Sequence, residues 1–175
     1  MTRTAPLIAL PWRRGGYGTL VVDPPWRFEQ KLREDLEHIY AGTMADEDVL
    51  DLPLSELGAT KSHLYLWVTE AHLEVGLELM KRAGFVRKHS FVWVKVDAEL
   101  EPRMGGGSYG RQAHELCLFG VRGGQPALVH DVPTVFHAPR TAHSRKPDNV
   151  HLIAERMSPG PRLELFARRR RPGWT

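Results

Sequence analysis

Asp23 stands where an apolar, β-branched run ends, and its position suggests a chemical use. The run is TLVV at residues 19–22, and Pro24, Pro25 and Trp26 follow the carboxylate directly. Such a run predicts a strand, and two prolines predict a rigid turn after it. Because Pro24 has a carbonyl but no N–H, the turn presents mainly hydrogen-bond acceptors. An acceptor-rich turn of this kind is suited to binding an amine.

Three common designs of active site are missing from the sequence. The nine histidines show neither H-x-x-x-H nor H-E-x-x-H spacing, and Cys117 is the single cysteine, so a metal site is not expected. No G-x-S-x-G sequence occurs. The glycine-rich run at residues 105–110 follows a charged segment and lacks the Gly-Lys-Ser/Thr of a phosphate loop. It is either a surface loop or a lid over a site.

The elements that must position Asp23 alternate along the chain between strands and helices. Predicted strands cover residues 19–23, 63–68, 91–95, 114–121, 127–132 and 162–167. Predicted helices are residues 44–51, capped by Thr43; a helix after Thr69 with Leu73, Leu77 and Met80 on one face; and a helix from Pro147 with Val150, Ile153, Ala154 and Met157. Nearly continuous apolar strands predict an α/β fold with a mostly parallel sheet and helices on both faces. Ligands bind outside the carboxyl ends of such strands, where Asp23 lies.

Composition predicts one domain spanning residues 1–175, with an irregular stretch at 1–16 and flexible loops at 29–37 and 97–110. Hydrophobic residues make up 42% and charged residues 26%, as in ordinary soluble domains. No apolar run approaches the roughly 20 residues that cross a bilayer, and residues 6–11 make a poor signal peptide. We therefore expect a cytoplasmic protein, with Cys117 in its core.

The net charge is only +3, but basic residues cluster, most densely at residues 168–171. Such clusters are compatible with a polyanionic partner and equally with a solvated surface.

The DPPW sequence at residues 23–26, placed after a hydrophobic strand, resembles the catalytic motif of the DPPW-type adenine-N6 methyltransferases. Further segments resemble that family in the same order, so that the resemblance extends over residues 17–174. They are residues 40–44 before an acidic helix start, LWVT at 66–69, WVK at 93–95, RQAHE at 111–115, SRKPD at 144–148, SPG at 158–160 and ELFAR at 164–168.

The resemblance implies a Rossmann-like fold with permuted motif order and S-adenosylmethionine as cofactor. The implied reaction is methyl transfer to the exocyclic N6 amine of adenine in nucleic acid. We expect DNA as the substrate, with RNA as the alternative, no metal and no membrane, and a homodimer or heterodimer is left open. Two other classes stay open: a catalytically silent, nucleic-acid-binding partner subunit, and a protein that binds a free nucleotide or small molecule.

The resemblance also assigns roles to residues. Asp23, Pro24, Pro25 and Trp26 would form the catalytic turn. The Asp23 carboxylate and the Pro24 carbonyl would accept the hydrogens of the amine, and the Asp23 charge would also suit the cofactor's sulfonium. Trp26 would stack on a base flipped out of a helix. Lys146 would pair with the methionine carboxylate of the cofactor and Arg168 would contact its ribose. The acceptor entrance would be shaped by Tyr40, Arg111, His114 and Glu115, while Trp67 and Trp93 are expected in the core.

Two features depart from the family pattern. Family members usually continue past the last tryptophan with Trp-Gly-Asn-Glu/Gln, whereas this sequence stops at Thr175. That predicts either weaker cofactor binding or a longer natural chain. One additional residue separates Tyr40 from Thr43, which affects the role assigned to Tyr40.

Overall fold

A computed structural model describes residues 10–27, 42–105, 109–140 and 145–175. A short 3-10 turn, Glu70–His72, precedes the third α-helix. The elements in chain order are β1 (Tyr17–Val22), α1 (Asp46–Leu50), α2 (Leu54–Leu57), β2 (Gly58–Val68), α3 (Leu73–Arg82), β3 (Val86–Val96), β4 (His114–Arg122), β5 (Val135–Pro139), α4 (Asn149–Met157) and β6 (Arg162–Leu165).

The six strands form one sheet in the order β5-β3-β4-β2-β1-β6. β4 runs antiparallel to both of its neighbours, and the other three pairings are parallel. The sheet is therefore mixed α/β and mostly parallel, as predicted, with one reversed strand that the apolar pattern did not indicate. Because β4 is reversed, its first residues lie at the same edge as the last residues of the other strands.

Helices cover both faces of the sheet, which confirms the predicted layering. The first three helices pack on one face through Val49, Leu54 and Leu79, whereas α4 packs on the other through Val150 and Ala154. Side chains alternate between faces along a strand. The predicted burial of Cys117 is also confirmed. Among the described helices, none has both the length and the apolar character needed to span a bilayer.

Two local predictions are wrong, and one strand is absent from the predicted set. Residues 127–132 form no strand but pack beside α4, where the Leu128 N–H donates to the Met157 carbonyl over 2.9 Å. The edge strand β5 follows instead, and its alternation of buried and exposed residues is too short to stand out in the sequence. The cap position of α1 belongs to Ala45, without a side-chain cap bond, rather than to Thr43.

In α3 the predicted buried face is confirmed at Leu73 and Met80 but not at Leu77. Leu77 is 38% exposed, and Gly76 lies against the sheet instead. A Cβ on Gly76 would come within 2.4 Å of a methyl group of Val68, so the helix approaches β2 too closely for a side chain there. Close helix–sheet packing thus overrides the periodicity of the apolar residues.

Some predicted loops fall partly outside the described residues. Residues 29–37 lie outside them entirely, as do residues 106–108 of the glycine-rich run. The described part of that loop is hydrogen bonded: the Asp97 carboxylate accepts from the Glu99 and Glu101 N–H groups, and the Arg103 N–H donates to the Lys95 carbonyl.

A buried polar network joins β2 to the end of α4. The His63 Nε2 atom lies 3.0 Å from the Gln125 carbonyl, so Nε2 carries the hydrogen and Nδ1 accepts from the Ser158 hydroxyl at 2.7 Å. The Tyr65 hydroxyl then donates to the Ser158 oxygen over 2.7 Å. The side-chain polar atoms of His63, Tyr65 and Ser158 thus all have partners, and the network fixes where the C-terminal end of α4 meets the sheet.

The turn after β4 offers a matched test of the close approach between β4 and β2. Gly123 and Gly124 both have positive φ, so alanine at either position should lower the free energy of unfolding by about 1–2 kcal/mol. A Cβ on Gly123 would lie 2.0 Å from the Thr60 carbonyl oxygen, whereas nothing lies within 4 Å of one on Gly124. We expect Gly123→Ala to lower the free energy of unfolding, measured with urea, clearly more than Gly124→Ala does. Equal losses would contradict this packing.

Candidate functional site

The reversed β4 brings together three charged residues from three strands. Asp23 follows β1, Lys95 lies near the end of β3, and Glu115 lies near the start of β4. Each is two residues from a buried residue of the face that α4 covers: Val21, Trp93 and Cys117. Because residues two apart in a strand share a face, all three side chains lie on the face that α4 covers. They also lie at the same end of the sheet, where β1 and β3 end and β4 begins.

Lys146, from the segment before α4, connects these charges. Its Nζ atom lies 2.9 Å from Asp23 Oδ1 and 3.3 Å from Glu115 Oε2. The other oxygen of Glu115 lies 2.7 Å from the Nζ atom of Lys95. The four side chains are largely buried and form one chain of ion pairs, called here the ionic cluster: Asp23, Lys95, Glu115 and Lys146.

Burial and pairing shift the pKa values of the cluster in different directions. Burial raises the pKa of Asp23, and the charge of Lys146 offsets only part of that rise. Burial also acts to raise the pKa of Glu115, but the two lysines outweigh it and hold that pKa below its usual range. For Lys146, burial acts to lower the pKa, whereas Asp23 and Glu115 raise it. The ammonium therefore stays charged, and Asp23 is the carboxylate of the cluster that is easier to protonate.

Trp67 of β2 forms the floor beneath the Lys146 ammonium, which lies 5.5 Å from the ring centroid. β2 separates β4 from β1 in the sheet, so Lys146 reaches across this strand to join Glu115 to Asp23. Trp67 and Trp93 are both buried, as predicted. The Trp93 indole donates to the Ala138 carbonyl over 2.8 Å and so also ties β3 to β5.

The turn at residues 23–26, called here the acceptor turn, is held by its own backbone and by Met44. The Trp26 N–H donates to the Pro24 carbonyl over 2.8 Å, and the Met44 N–H donates to the Pro25 carbonyl over 2.8 Å. A carbonyl oxygen has two lone pairs, so the Pro24 carbonyl can accept one more hydrogen. These two hydrogen bonds hold the backbone on either side of Pro25.

Trp26 occupies a different place from the one expected of a base-stacking residue. Only 6% of it is exposed, its ring stacks on His72, and its indole donates to the Trp67 carbonyl over 3.1 Å. The ring is part of the apolar core under α1 to α3. In this structure Trp26 supports the turn and is not available to stack on a base.

A pocket of about 150 Å³ lies beside the ionic cluster. Sites for drug-sized ligands occupy roughly 300–1,000 Å³, so the described walls enclose only part of such a ligand. Arg168 lines this pocket with Asp23 and Lys146, although its contact with a ribose stays a prediction. The lining residues are Asp23, Trp67, Arg145, Lys146, Asp148, His151, Glu164, Phe166, Arg168 and Arg169.

Asp148 holds the arginine-rich segment against the start of α4. It accepts hydrogen bonds from Arg169 and, over 2.6 Å, from Arg171. Hydrogen bonding to Arg169 holds the pKa of Asp148 below its usual range. The run at residues 168–171 is therefore partly an element of the pocket wall and not simply a solvated tail.

The pocket can accommodate a ligand that carries charges of both signs. Three carboxylates face four cationic groups in its wall. The Lys146 ammonium has three N–H donors and two carboxylate partners, so it can donate one further hydrogen bond. Within the described part of the chain, no group of three or more His, Cys, Asp or Glu side chains is arranged to hold a metal ion.

The residues predicted to shape the acceptor entrance do not come together in one group. Arg111 is exposed and donates to the Gly105 carbonyl over 3.0 Å, and His114 pairs with Glu70 over 3.0 Å. Glu115 belongs to the ionic cluster. Tyr40 lies outside the described residues, so its role stays a prediction.

Lys95, Asp148, Glu164 and Phe166 all lie in segments that resemble the family, but the sequence predicts no role for them or for His151. Lys95 could have been found from the alternation of side chains, because it shares a face with buried Trp93. Phe166 has a φ of 66°, a left-handed conformation that non-glycine residues rarely adopt and that clusters at functional sites. No pattern in the sequence signals this conformation.

The sheet, the rigid turn and the pocket together define an α/β domain with a polar ligand site at the carboxyl ends of its parallel strands. The sequence model of the MT-A70 family matches residues 17–175, and the chain belongs to that family. Membership confirms the resemblance to the adenine-N6 methyltransferases.

Relatives in plants and animals carry related names. The chain is 34% identical over 159 residues to the N(6)-adenosine-methyltransferase MT-A70-like protein of Arabidopsis thaliana. The alignment covers 88% of this chain and 22% of the Arabidopsis protein. The chain is 30% identical over 169 residues to the human N(6)-adenosine-methyltransferase catalytic subunit METTL3. That alignment covers 91% of this chain and 27% of METTL3. The chain is 26% identical to the human N(6)-adenine-specific methyltransferase METTL4, in an alignment that covers 93% of this chain and 37% of METTL4. The chain thus spans about a quarter of the length of the plant relatives and of METTL3.

Two variants of the ionic cluster should shift the pKa of Asp23 in opposite directions. The negative charge of Glu115 raises the pKa of Asp23 and the positive charge of Lys146 lowers it. Glu115→Gln should therefore lower this pKa, and Lys146→Met should raise it, both measured by NMR titration of the Asp23 side-chain carboxyl carbon. Shifts in the same direction would contradict the pairing of Asp23 with Lys146.

Proposed function

We propose that this chain transfers a methyl group from S-adenosylmethionine to the N6 amine of adenine in nucleic acid, with RNA as the first candidate substrate. The observation that carries the proposal is the Asp23 carboxylate, fixed at a rigid acceptor turn, beside a pocket with charges of both signs. The fold is proposed to be the Rossmann-like methyltransferase fold with permuted motif order, built as a single domain.

The acceptor turn suits an adenine amine for a physical reason. The lone pair of this amine is delocalised into the ring, which makes it a weak nucleophile. The Asp23 carboxylate and the second lone pair of the Pro24 carbonyl would accept its two hydrogens, localising the nitrogen lone pair and orienting it. Asp23 need not be a strong base, because the nitrogen becomes acidic only after it has gained the methyl group.

The pocket residues would hold the methyl donor. When bound, S-adenosylmethionine supplies an electrophilic methyl group on a sulfonium. Lys146 would use its remaining N–H to bind the donor's carboxylate, and Asp23 would place a negative charge near the sulfonium. Arg168 lies in the same wall, where it would contact the ribose.

The choice of RNA over DNA comes from the relatives. The Arabidopsis protein and METTL3 are both named for adenosine, the ribonucleoside, whereas METTL4 is named for adenine. We therefore reverse the order expected from the sequence and place DNA second. The basic groups around the pocket, among them Arg145 and Arg169, would favour a polyanion of either kind.

The first test is mass spectrometry of nucleosides from RNA and DNA oligonucleotides incubated with the protein and S-adenosylmethionine. We expect N6-methyladenosine from RNA, and a loss of about 100-fold or more in rate for Asp23→Asn, as for other preorganised polar groups. Asp131→Asn is the matched control, because Asp131 pairs with Arg156 on the exposed surface. A wild-type protein that binds nucleic acid but methylates neither kind would contradict the proposal and favour a silent partner subunit.

A second test separates donor binding from nucleic-acid binding. Lys146→Ala should weaken the binding of S-adenosylmethionine in titration calorimetry, because it removes the cation nearest Asp23 in the pocket wall. Its effect on binding to an oligonucleotide should be smaller. Lys88→Ala, an exposed lysine at the opposite end of the sheet, is the control. The reverse order of effects would overturn the assignment of Lys146 to the donor.

A further inference from the structure

His72 is a buried histidine that contacts the acceptor turn from outside the ionic cluster. It lies at the end of the turn after β2 and is 5% exposed. Its Nε2 atom is 2.9 Å from the Arg27 carbonyl oxygen. Its ring stacks on Trp26, with the centroids 4.7 Å apart and the planes at 22°. His72 therefore meets the end of the acceptor turn through a hydrogen bond and a ring face.

The partners of His72 determine which nitrogen carries the hydrogen. A carbonyl oxygen can only accept, so Nε2 donates to Arg27, and in the neutral ring Nδ1 then accepts. The Thr69 hydroxyl, 2.7 Å from Nδ1, supplies that hydrogen bond. Asp46 Oδ1 lies farther from Nε2, at 3.8 Å. The ring is thus held in one orientation and one tautomer by residues on both sides.

Movement of the Trp26 ring would be transmitted to the acceptor groups. The Trp26 N–H is bonded to the Pro24 carbonyl, and the Trp26 indole is bonded to the Trp67 carbonyl. Only two residues separate Trp26 from Asp23, and both are prolines with fixed φ. A change in the position of Trp26 or Arg27 therefore changes where the Pro24 carbonyl and the Asp23 carboxylate point.

We propose that His72 is a positioning residue for methyl transfer. Its Nε2–H binds the Arg27 carbonyl and its ring packs on Trp26. These two contacts hold the acceptor turn so that Asp23 and the Pro24 carbonyl keep the geometry needed to orient the amine. This inference rests on the function proposed for that turn. His72 does not line the pocket assigned to the methyl donor, so it acts on the acceptor side. A misplacement of about 1 Å in such groups can cost roughly 100-fold in rate.

Two substitutions separate the two contacts. His72→Phe keeps an aromatic face for Trp26 but removes the donor to Arg27, whereas His72→Gln keeps an N–H donor and removes the ring. We expect kcat to fall about 10- to 100-fold in His72→Phe, with S-adenosylmethionine binding unchanged, and His72→Gln to recover much of kcat. His137→Phe, at an exposed site on β5, is the matched control.

Two results would overturn the inference: an unchanged kcat in folded His72→Phe, or a fall in kcat, donor affinity and unfolding temperature together, which indicates a merely structural role. A second measurement does not depend on activity. In NMR spectra the Trp26 indole N–H signal, assigned with Trp26→Phe, should shift in His72→Phe. An inactive wild type with this shift would refute the proposed function and retain the positioning contact. An unshifted signal would refute the positioning role itself.

Discussion

The site depends on the ammonium of Lys146 lying between two buried carboxylates. Removing Asp23 and Glu115 from water costs on the order of several kcal/mol for each ion unless each is paired. Two lysines and two carboxylates balance within the ionic cluster, so none of its charges is buried alone. The same arrangement leaves Asp23 with a raised pKa and Lys146 with an N–H to spare. The ion pairs that offset the cost of burying these charges therefore also set the protonation of Asp23.

The architecture of the sheet makes this cluster geometrically necessary. Lys95 lies on β3, Glu115 lies on β4 and Asp23 follows β1. They lie at the same end of the sheet because β4 runs antiparallel to its neighbours. Lys146 closes the gap over Trp67 because α4 is anchored on the sheet by Val150 and Ala154. Asp148 then draws the arginine-rich segment to the start of the same helix. One helix therefore fixes both a member of the cluster and a wall of the pocket.

The region that matches the MT-A70 family model includes every part of the candidate site. The matched region, residues 17–175, contains the acceptor turn, the ionic cluster and the pocket. Trp26 shows how a motif residue can serve a purpose other than the one its type suggests. Its ring is large and aromatic, as base stacking requires, yet it is buried against His72, where it makes the turn rigid.

The sequence alone predicts that Asp23 ends a strand, that two prolines restrict the turn after it, that the sheet is mostly parallel, and which family the chain belongs to. The first three follow from local properties, since apolar runs and prolines act over a few residues, and the family follows from the order of motifs along the chain. The sequence does not predict that β4 is reversed, that Glu115 and Lys95 join Lys146, or that Trp26 is buried. Each of these depends on contacts between residues far apart in the chain, such as Asp23 with Lys146. In α3 the helical pattern likewise fails at Leu77, because Gly76 packs closely against Val68 instead.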